Sequence, residues 1–83
     1  MRVKYFAWVR ERIGVAEEEI TLPDTVVTAH DLIAHLKSRG EGYAHALERD
    51  AFIRVAADQM HVAHDTPIRE AREVALFPPM TGG

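Results

Sequence analysis

Alternating apolar and polar residues predict β-strands near both ends of the chain. Arg2 to Trp8 alternates and is rich in Val, Tyr, Phe and Trp, which favours a strand. Glu73 to Phe77 alternates in the same way and predicts the final strand. Glu18 to Leu22 predicts a second strand, so that the first two strands form a hairpin whose connection turns at Gly14.

A helical period of apolar residues follows this hairpin. Thr28 is placed to cap the start of the helix, and the acidic side chain of Asp31, three residues further on, can bind back to this cap. Apolar residues then recur at i, i+3, i+4 and i+7 and give one apolar face, formed by Ala29, Leu32, Ile33 and Leu36. We expect this helix to stop at Gly40 and a short second helix to lie within Gly42 to Asp50.

The remaining elements complete a two-layer fold. Phe52 to Ala56 predicts a strand, and Gln59 to Val62 predicts a brief edge strand. The order of elements predicts an α+β fold in which one main helix packs across one face of a mixed sheet of about five strands. This is the ubiquitin-like β-grasp arrangement, with the first and last strands as central neighbours. A ferredoxin-like fold would need a second full helix.

Composition excludes several classes of function. The chain has 83 residues, which is enough for one domain with a modest core. A formal net charge of −3 without any basic block argues against nucleic-acid binding. The absence of cysteine excludes disulfides, thiolate catalysis and cysteine-based zinc sites. No apolar run reaches the length of a membrane span and the first residues do not resemble a signal peptide, so we expect a cytoplasmic protein.

The last residues form the most informative motif, Phe77-Pro78-Pro79-Met80-Thr81-Gly82-Gly83. The two prolines supply no backbone N–H and favour an extended chain, so the sheet should end near Phe77. We expect residues 1–79 to form the domain and residues 80–83 to project as a flexible tail. Glycines at its tip carry no β-carbon and could thread a narrow channel as a substrate. The alternative is an ordinary frayed chain end.

Three further groups of residues are candidates for binding. Phe77 should lie on the face of the last strand opposite to Val74 and Leu76, where it would anchor an interface unless loops cover it. Arg10, in a charged loop after the first strand, could dock an acidic partner or a phosphate. The acidic run Glu17 to Glu19 reads as a solvated strand edge, with partner docking as the alternative.

Catalytic and metal-binding motifs are missing from the sequence. Five histidines are present, at positions 30, 35, 45, 61 and 64, but no spacing among them fixes a set of ligands, so we predict no metal site. The sequence contains no Ser-His-Asp context, no glycine-rich phosphate loop and no recognisable carboxylate pair. These observations favour a substrate or carrier protein over an enzyme.

Two segments resemble one known family. Phe6 to Glu11 and Glu73 to Gly83 are similar to the small subunit of molybdopterin synthase, the β-grasp sulfur carrier of molybdenum cofactor biosynthesis. The likeness extends over essentially the whole chain in length and element order. One departure is the segment Glu70-Ala71-Arg72-Glu73, where the family commonly has a Gly-Asp turn.

The resemblance implies a specific chemistry at the tail. An ATP-using enzyme related to ubiquitin-activating enzymes would adenylate the Gly83 carboxylate, and a sulfur donor system would convert it to a thiocarboxylate. The tail would then enter the large synthase subunit and pass sulfur to cyclic pyranopterin monophosphate, in a complex of two large and two small subunits. Gly82 would permit close passage, and this chain would bind no cofactor. The catalytic residues would belong to the large subunit, and the implied contacts of the small subunit with its partners are Phe77, Pro78, Pro79, Met80, Thr81 and Arg10.

Three alternatives remain open. The chain could carry sulfur for another pathway, such as thiamine synthesis, tungsten cofactor synthesis or tRNA thiolation. It could be a β-grasp interaction module whose tail is never activated. It could also be conjugated to lysines in the manner of ubiquitin.

Overall fold

A computed structural model of the chain describes residues 1–79, and Met80, Thr81, Gly82 and Gly83, with the expected flexible tail, lie outside the described residues. Five strands and three α-helices are present in this range. In chain order the elements are β1 (Arg2–Tyr5), α1 (Ala7–Ile13), β2 (Glu17–Glu19), α2 (Ala29–Lys37), α3 (Glu41–Ala46), a 3₁₀ turn (Asp50–Phe52), β3 (Arg54–Ala57), β4 (Met60–Val62) and β5 (Glu73–Phe77).

The strands form one mixed sheet in the order β2-β1-β5-β3-β4. β1 runs parallel to β5, whereas β1 with β2, β3 with β4 and β3 with β5 are antiparallel pairs. The predicted β-grasp arrangement is confirmed, and so is the expectation that the first and last strands lie side by side. Because β5 is the central strand, the chain leaves the sheet from its middle.

Helix α2 begins and buries its apolar face as its sequence predicts, but it ends at Lys37 with Ser38 as its C-cap, and Gly40, the predicted stop, is the N-cap of α3. Thr28 Oγ1 accepts a hydrogen bond from the Asp31 backbone N–H at 3.1 Å, and Asp31 Oδ2 accepts one from the Thr28 N–H at 3.1 Å. This reciprocal pair satisfies amide groups that a helix start leaves without partners. The apolar face of α2 is buried against the sheet and consists of Ala29, Leu32, Ile33 and Leu36.

The prediction that the first strand runs to Trp8 is wrong, because β1 ends at Tyr5 and α1 begins at Ala7. Ala7 starts the helix with φ at +52°, and Gly14 ends it with φ at +99° and donates its N–H to Arg10 O at 2.8 Å. α1 packs closely on α3, where a β-carbon at Gly42 would come within 3.0 Å of Arg12 O. Residues 1–79 therefore contain three helices rather than a main helix and one short one.

Three other predicted boundaries also shift. β2 covers Glu17–Glu19, so the expected strand from Glu18 to Leu22 begins earlier and ends earlier. β3 begins at Arg54 because the preceding residues form the 3₁₀ turn, which leaves Phe52 outside the strand and 60% exposed. β4 begins at Met60 and not at Gln59, because Asp58 and Gln59, with φ of +48° and +70°, form the two-residue type I′ turn between β3 and β4.

The core lies between the sheet and the helices. Each strand of the central trio contributes alternate side chains to it, as Val3 and Tyr5 do from β1 and Val74 and Leu76 from β5. None of the helices within residues 1–79 has the length and apolar character needed to cross a membrane.

Candidate functional site

The outer face of β5 carries the candidate site. Val74 and Leu76 are fully buried beneath the helices, whereas Ala75 and Phe77 point to the opposite face and are only partly buried. This confirms the predicted alternation along the strand. No helix covers that face in the described range, because all three helices pack on the other side. Phe77 is therefore available to a partner on the last position of the central strand.

A second aromatic residue lies next to Phe77. β1 and β5 are parallel with Tyr5 opposite Leu76, so the following residues, Phe6 and Phe77, are also aligned. The Phe6 N–H donates to Leu76 O at 3.2 Å, and the Phe6 backbone is still extended, which keeps its side chain on the outer face. Phe6 is 47% exposed. Its place in the site was not predicted, although its register against β5 follows from parallel pairing.

His61 completes this group from the edge strand. Its ring meets the Phe77 ring edge to face, with the two centroids 5.4 Å apart and the planes at 88°. Ala56 is paired with both His61 and Ala75 on its two sides, and these small alanines let the two rings approach across the sheet. We call Phe6, Ala56, His61, Ala75 and Phe77 together the sheet-face patch.

The other half of the same face is charged and internally paired. Arg2 bridges Glu17 and Glu19 at 3.2 and 3.1 Å, and Lys4 pairs with Glu73 at 3.3 Å. These side chains satisfy one another at the surface. The outer face is thus divided into a charged half near β2 and an apolar half beside the end of β5, and the apolar half has the character of an interaction surface.

The chain leaves the sheet directly beside the patch. Phe77 pairs with Arg54 at the end of the β3–β5 ladder, and Pro78 and Pro79 then follow outside any strand. Neither proline has an N–H to continue the ladder, so the prediction that the sheet ends near Phe77 is confirmed. Both prolines are partly buried. We call Pro78–Pro79 the exit segment.

The remaining predicted site residues divide into two groups. Arg10 is exposed on α1, so the charged loop expected there is wrong and the residue belongs to a helix. Within residues 1–79 it makes no ion pair. The expected contacts of Met80 and Thr81, and the expected reactive end at Gly82 and Gly83, fall outside the described residues.

The acidic run has a split role that its sequence did not predict. Glu17 and Glu19 are exposed and paired on the outer face, but Glu18 points inward. The Glu18 carboxylate accepts hydrogen bonds from the hydroxyls of Tyr5 and Tyr43, each at 2.7 Å. Burial raises the pKa of Tyr5 and of Tyr43, and the hydrogen bond to Glu18 raises the pKa of each phenol further. Glu18 therefore joins β2 to the core instead of facing solvent.

The histidines have separate surroundings. His61 contacts Phe77, and the Nε2 atom of His64 lies 2.7 Å from Ile53 O. Among the residues that the structure describes, no three His, Asp or Glu side chains come together in a way that could hold a metal ion. The histidine best placed to take part in function is therefore His61, through its ring and its contact with Phe77.

Comparison with known proteins identifies relatives over the full chain. The sequence profile of the ThiS family matches residues 3–83. The molybdopterin synthase sulfur carrier subunit of Haemophilus influenzae is 37% identical over 83 residues, which is 100% of this chain and 99% of that protein.

Two solved structures extend this likeness to the fold. A proposed molybdopterin converting factor subunit 1 from Pyrococcus furiosus superposes with a TM-score of 0.73 and 32% identity, over 95% of each chain. The small archaeal modifier protein 1 of Haloferax volcanii gives a TM-score of 0.72 and 26% identity, over 96% of this chain and 97% of that one.

Proposed function

The chain belongs to the ThiS family, and from that premise we propose that it is the sulfur carrier subunit of a molybdopterin synthase. The observation that carries the proposal is the match to a sulfur carrier subunit at 37% identity, over 100% of this chain and 99% of that protein. The sheet-face patch beside the exit segment supports it, because a carrier must hold its body against each partner while its tail is inside that partner's active site.

The proposed reaction takes place at the Gly83 carboxylate. A carboxylate oxygen attacks the α-phosphorus of ATP in the activating enzyme, which releases pyrophosphate and leaves an acyl-adenylate. A sulfur nucleophile at the oxidation level of sulfide then attacks the acyl carbon, and AMP departs with the original carboxylate oxygen. The product is a C-terminal thiocarboxylate. AMP is needed because an oxide ion is a far poorer leaving group than a phosphate ester.

The second half of the proposed reaction uses the large synthase subunit. The thiocarboxylate sulfur attacks an oxygen-bearing carbon of cyclic pyranopterin monophosphate and displaces that oxygen, which leaves as water or as the opened phosphate ester. Water then hydrolyses the resulting thioester, which returns the Gly83 carboxylate and leaves the sulfur on the pterin as a thiolate. Gly82 has no side chain, which lets the tail pass through a narrow channel. The large subunit supplies the catalytic groups, so this chain acts as a cosubstrate and carries no resident cofactor.

The test is intact-mass spectrometry after incubation with an activating enzyme, ATP and a sulfur donor. We expect a mass gain equal to the exchange of one oxygen for sulfur, located at Gly83 by fragmentation and absent from a variant that lacks Gly83. A chain that keeps its mass while a known carrier in the same mixture gains sulfur would refute the proposal. Addition of large subunit and pterin precursor then identifies the acceptor and separates this pathway from thiamine, tungsten or tRNA pathways.

A second candidate function is conjugation to other proteins. The structural likeness to small archaeal modifier protein 1 favours it, since a modifier also requires an activated terminal carboxylate. In that case the same activation mixture, supplied with cell extract, would yield a ladder of lysine-linked adducts. Loss of the ladder on deletion of Gly83 would support conjugation, and an unchanged pattern of free protein would exclude it.

A further inference from the structure

A second apolar surface borders the exit segment on the helix side of the sheet. It is a cleft lined by Trp8, Arg49, Phe52 and Pro79. Phe52 is 60% exposed, an unusual exposure for a large aromatic side chain, and Trp8 packs partly against the core from α1. The cleft shares no residue with the sheet-face patch, and Pro79 of the exit segment forms part of its lining.

The cationic side chains around this cleft have no acidic partner within residues 1–79. Of the ten lysines and arginines in the chain, five form ion pairs in the described range: Arg2, Lys4, Lys37, Arg39 and Arg69. The five without an ion pair there include Arg49 in the lining of the cleft, Arg12 stacked on the cleft residue Trp8, and Arg54 opposite Phe77. The protein as a whole is acidic, yet three of these five arginines lie near the end of β5, where the chain leaves the sheet.

Arg12 is also held in position. Its guanidinium lies 4.5 Å from the centre of the Trp8 ring, and one of its N–H groups donates to His45 O at 3.4 Å. Glu48 lines the adjoining hollow together with Arg12 and Arg49, and its carboxylate lies 4.0 Å from His45 Nδ1. A stacked guanidinium loses little conformational freedom on binding an acidic group, and within residues 1–79 the other donors of Arg12 have no hydrogen-bond partner.

We propose that this cleft is the second half of the docking surface for the molybdopterin synthase large subunit, a proposal that rests on the proposed function above. The cleft would receive an apolar side chain of the large subunit, and carboxylates around that side chain would pair with Arg12 and Arg49. Charge complementarity supports an acidic occupant, because arginines that have no ion pair within residues 1–79, beside an apolar hollow, match such a surface and repel a basic one.

The size of a stable protein interface indicates that the sheet-face patch is only part of the docking surface. A stable protein interface buries about 800 Å² on each partner and involves roughly 20–30 residues a side. The five side chains of the sheet-face patch, two of them alanines, fall well short of that. Pro79 lines the cleft and Phe77 of the patch lies two residues before it, so a subunit that surrounds the exit segment would cover both surfaces at once.

The test is calorimetric titration of the full-length chain with the cognate large subunit, at low and at moderate salt. Arg49→Glu reverses one charge of the cleft, and Phe52→Ser removes its exposed ring. Arg72→Glu is the matched charge control. Arg72 has no ion pair within residues 1–79, and it directly precedes β5, at the end of that strand opposite to the exit segment. Met60→Ser is the matched apolar control, since Met60 is 71% exposed on the edge strand.

We expect Arg49→Glu and Phe52→Ser each to weaken binding about tenfold or more, and both controls to stay within about twofold. The affinity of the wild type should also fall more steeply with salt than that of Arg49→Glu. Thermal unfolding checks that all four variants are folded, as expected for side chains outside the core.

Three results would overturn the proposal, and they can be told apart. Normal binding of both cleft variants, with binding by Phe77→Ala impaired, would refute the cleft and leave the proposed function standing. Normal binding to the large subunit with slowed adenylation would show that the cleft serves the activating enzyme instead. A folded wild type that does not bind the large subunit at all would refute the proposed function, and the cleft's assignment with it.

Discussion

Replacing Phe77 with alanine separates the stability of the fold from docking to a partner. The Phe77 side chain is partly buried on the outer face, where its main described contact is the edge-to-face packing on His61. Such aromatic pairs contribute about 0.5–1.5 kcal/mol beyond the area they bury. We therefore expect Phe77→Ala to lower the free energy of unfolding by roughly 1–2 kcal/mol.

The neighbouring core residue provides the contrast. Leu76 is fully buried, and truncation of a buried leucine to alanine costs about 2–5 kcal/mol because a cavity remains. Leu76→Ala should thus destabilise the protein more than Phe77→Ala, although the two positions are adjacent on one strand. Urea unfolding of the two variants measures this difference directly.

Binding should show the opposite order. An aromatic residue in the middle of an interface typically contributes about 2 kcal/mol or more, so Phe77→Ala should weaken binding of the large subunit about 30-fold. Leu76→Ala should change the affinity much less under conditions where it is folded. An unchanged affinity for Phe77→Ala, together with a loss of stability as large as that of Leu76→Ala, would show that Phe77 belongs to the core and would refute the reasoning.

Three further predictions concern the fold that presents the site. Gly42→Ala gains about 1 kcal/mol of helix propensity in α3, but its β-carbon would lie 3.0 Å from Arg12 O, and pushing α1 from α3 costs about 1–3 kcal/mol; we expect a net loss of about 1 kcal/mol in urea titrations, and a stabilised variant would contradict this. Backbone N–H groups of Thr28 and Val27 hold the pKa of Asp31 below its ordinary value, so its contribution is complete above the unfolded pKa of about 4 and is lost as the pH falls through the lower folded value. Asp31→Asn should remove this loss of unfolding free energy at low pH, and an unchanged dependence of the unfolding free energy on pH below about 4 would contradict the prediction. Burial and then the Glu18 hydrogen bond raise the pKa of Tyr5, so stability should be constant below about pH 10 and fall above it as the unfolded phenol ionises, and Tyr5→Phe should flatten this alkaline decline in urea titrations.

The elements that sequence predicts correctly are those whose local signals and tertiary contacts agree. Helix α2 has a capping box and a complete apolar face, and both are used in the structure. β5 alternates cleanly because one of its faces is buried and the other is not. The same alternation correctly predicts that Phe77 lies on the outer face, opposite to Val74 and Leu76.

Helix α1 could not be predicted from the same kind of pattern. Residues from Val3 to Trp8 continue the alternation of β1, and Trp8 and Val9 favour strands. The helix is seven residues long, has no side chain that caps its start, and is stabilised by its packing on α3. The signals that could have revealed it are Val9 and Ile13 at i, i+4 spacing and Gly14 at the C-cap.

The site was predicted in part for a related reason. Phe77 and the exit prolines are marked by the chain itself, since they follow one another at the end of a strand. Phe6, His61 and Phe52 lie near the end of β5 only because of how the strands pair and how the chain turns back between elements. Their roles depend on contacts between residues far apart in sequence, which local patterns do not contain.

The central position of β5 also determines how the fold bears a mechanical load. A partner that grips the chain beyond Pro79 pulls along the axis of a strand that is hydrogen-bonded on both sides, to β1 in parallel and to β3 in antiparallel. Such a pull stretches the hydrogen bonds to both neighbouring strands in shear. These hydrogen bonds resist the force together, whereas the hydrogen bonds of an edge strand that is peeled away break one at a time. Under the proposed function, the tail can therefore be drawn into a tight channel and withdrawn again while the domain stays folded at the end that is held.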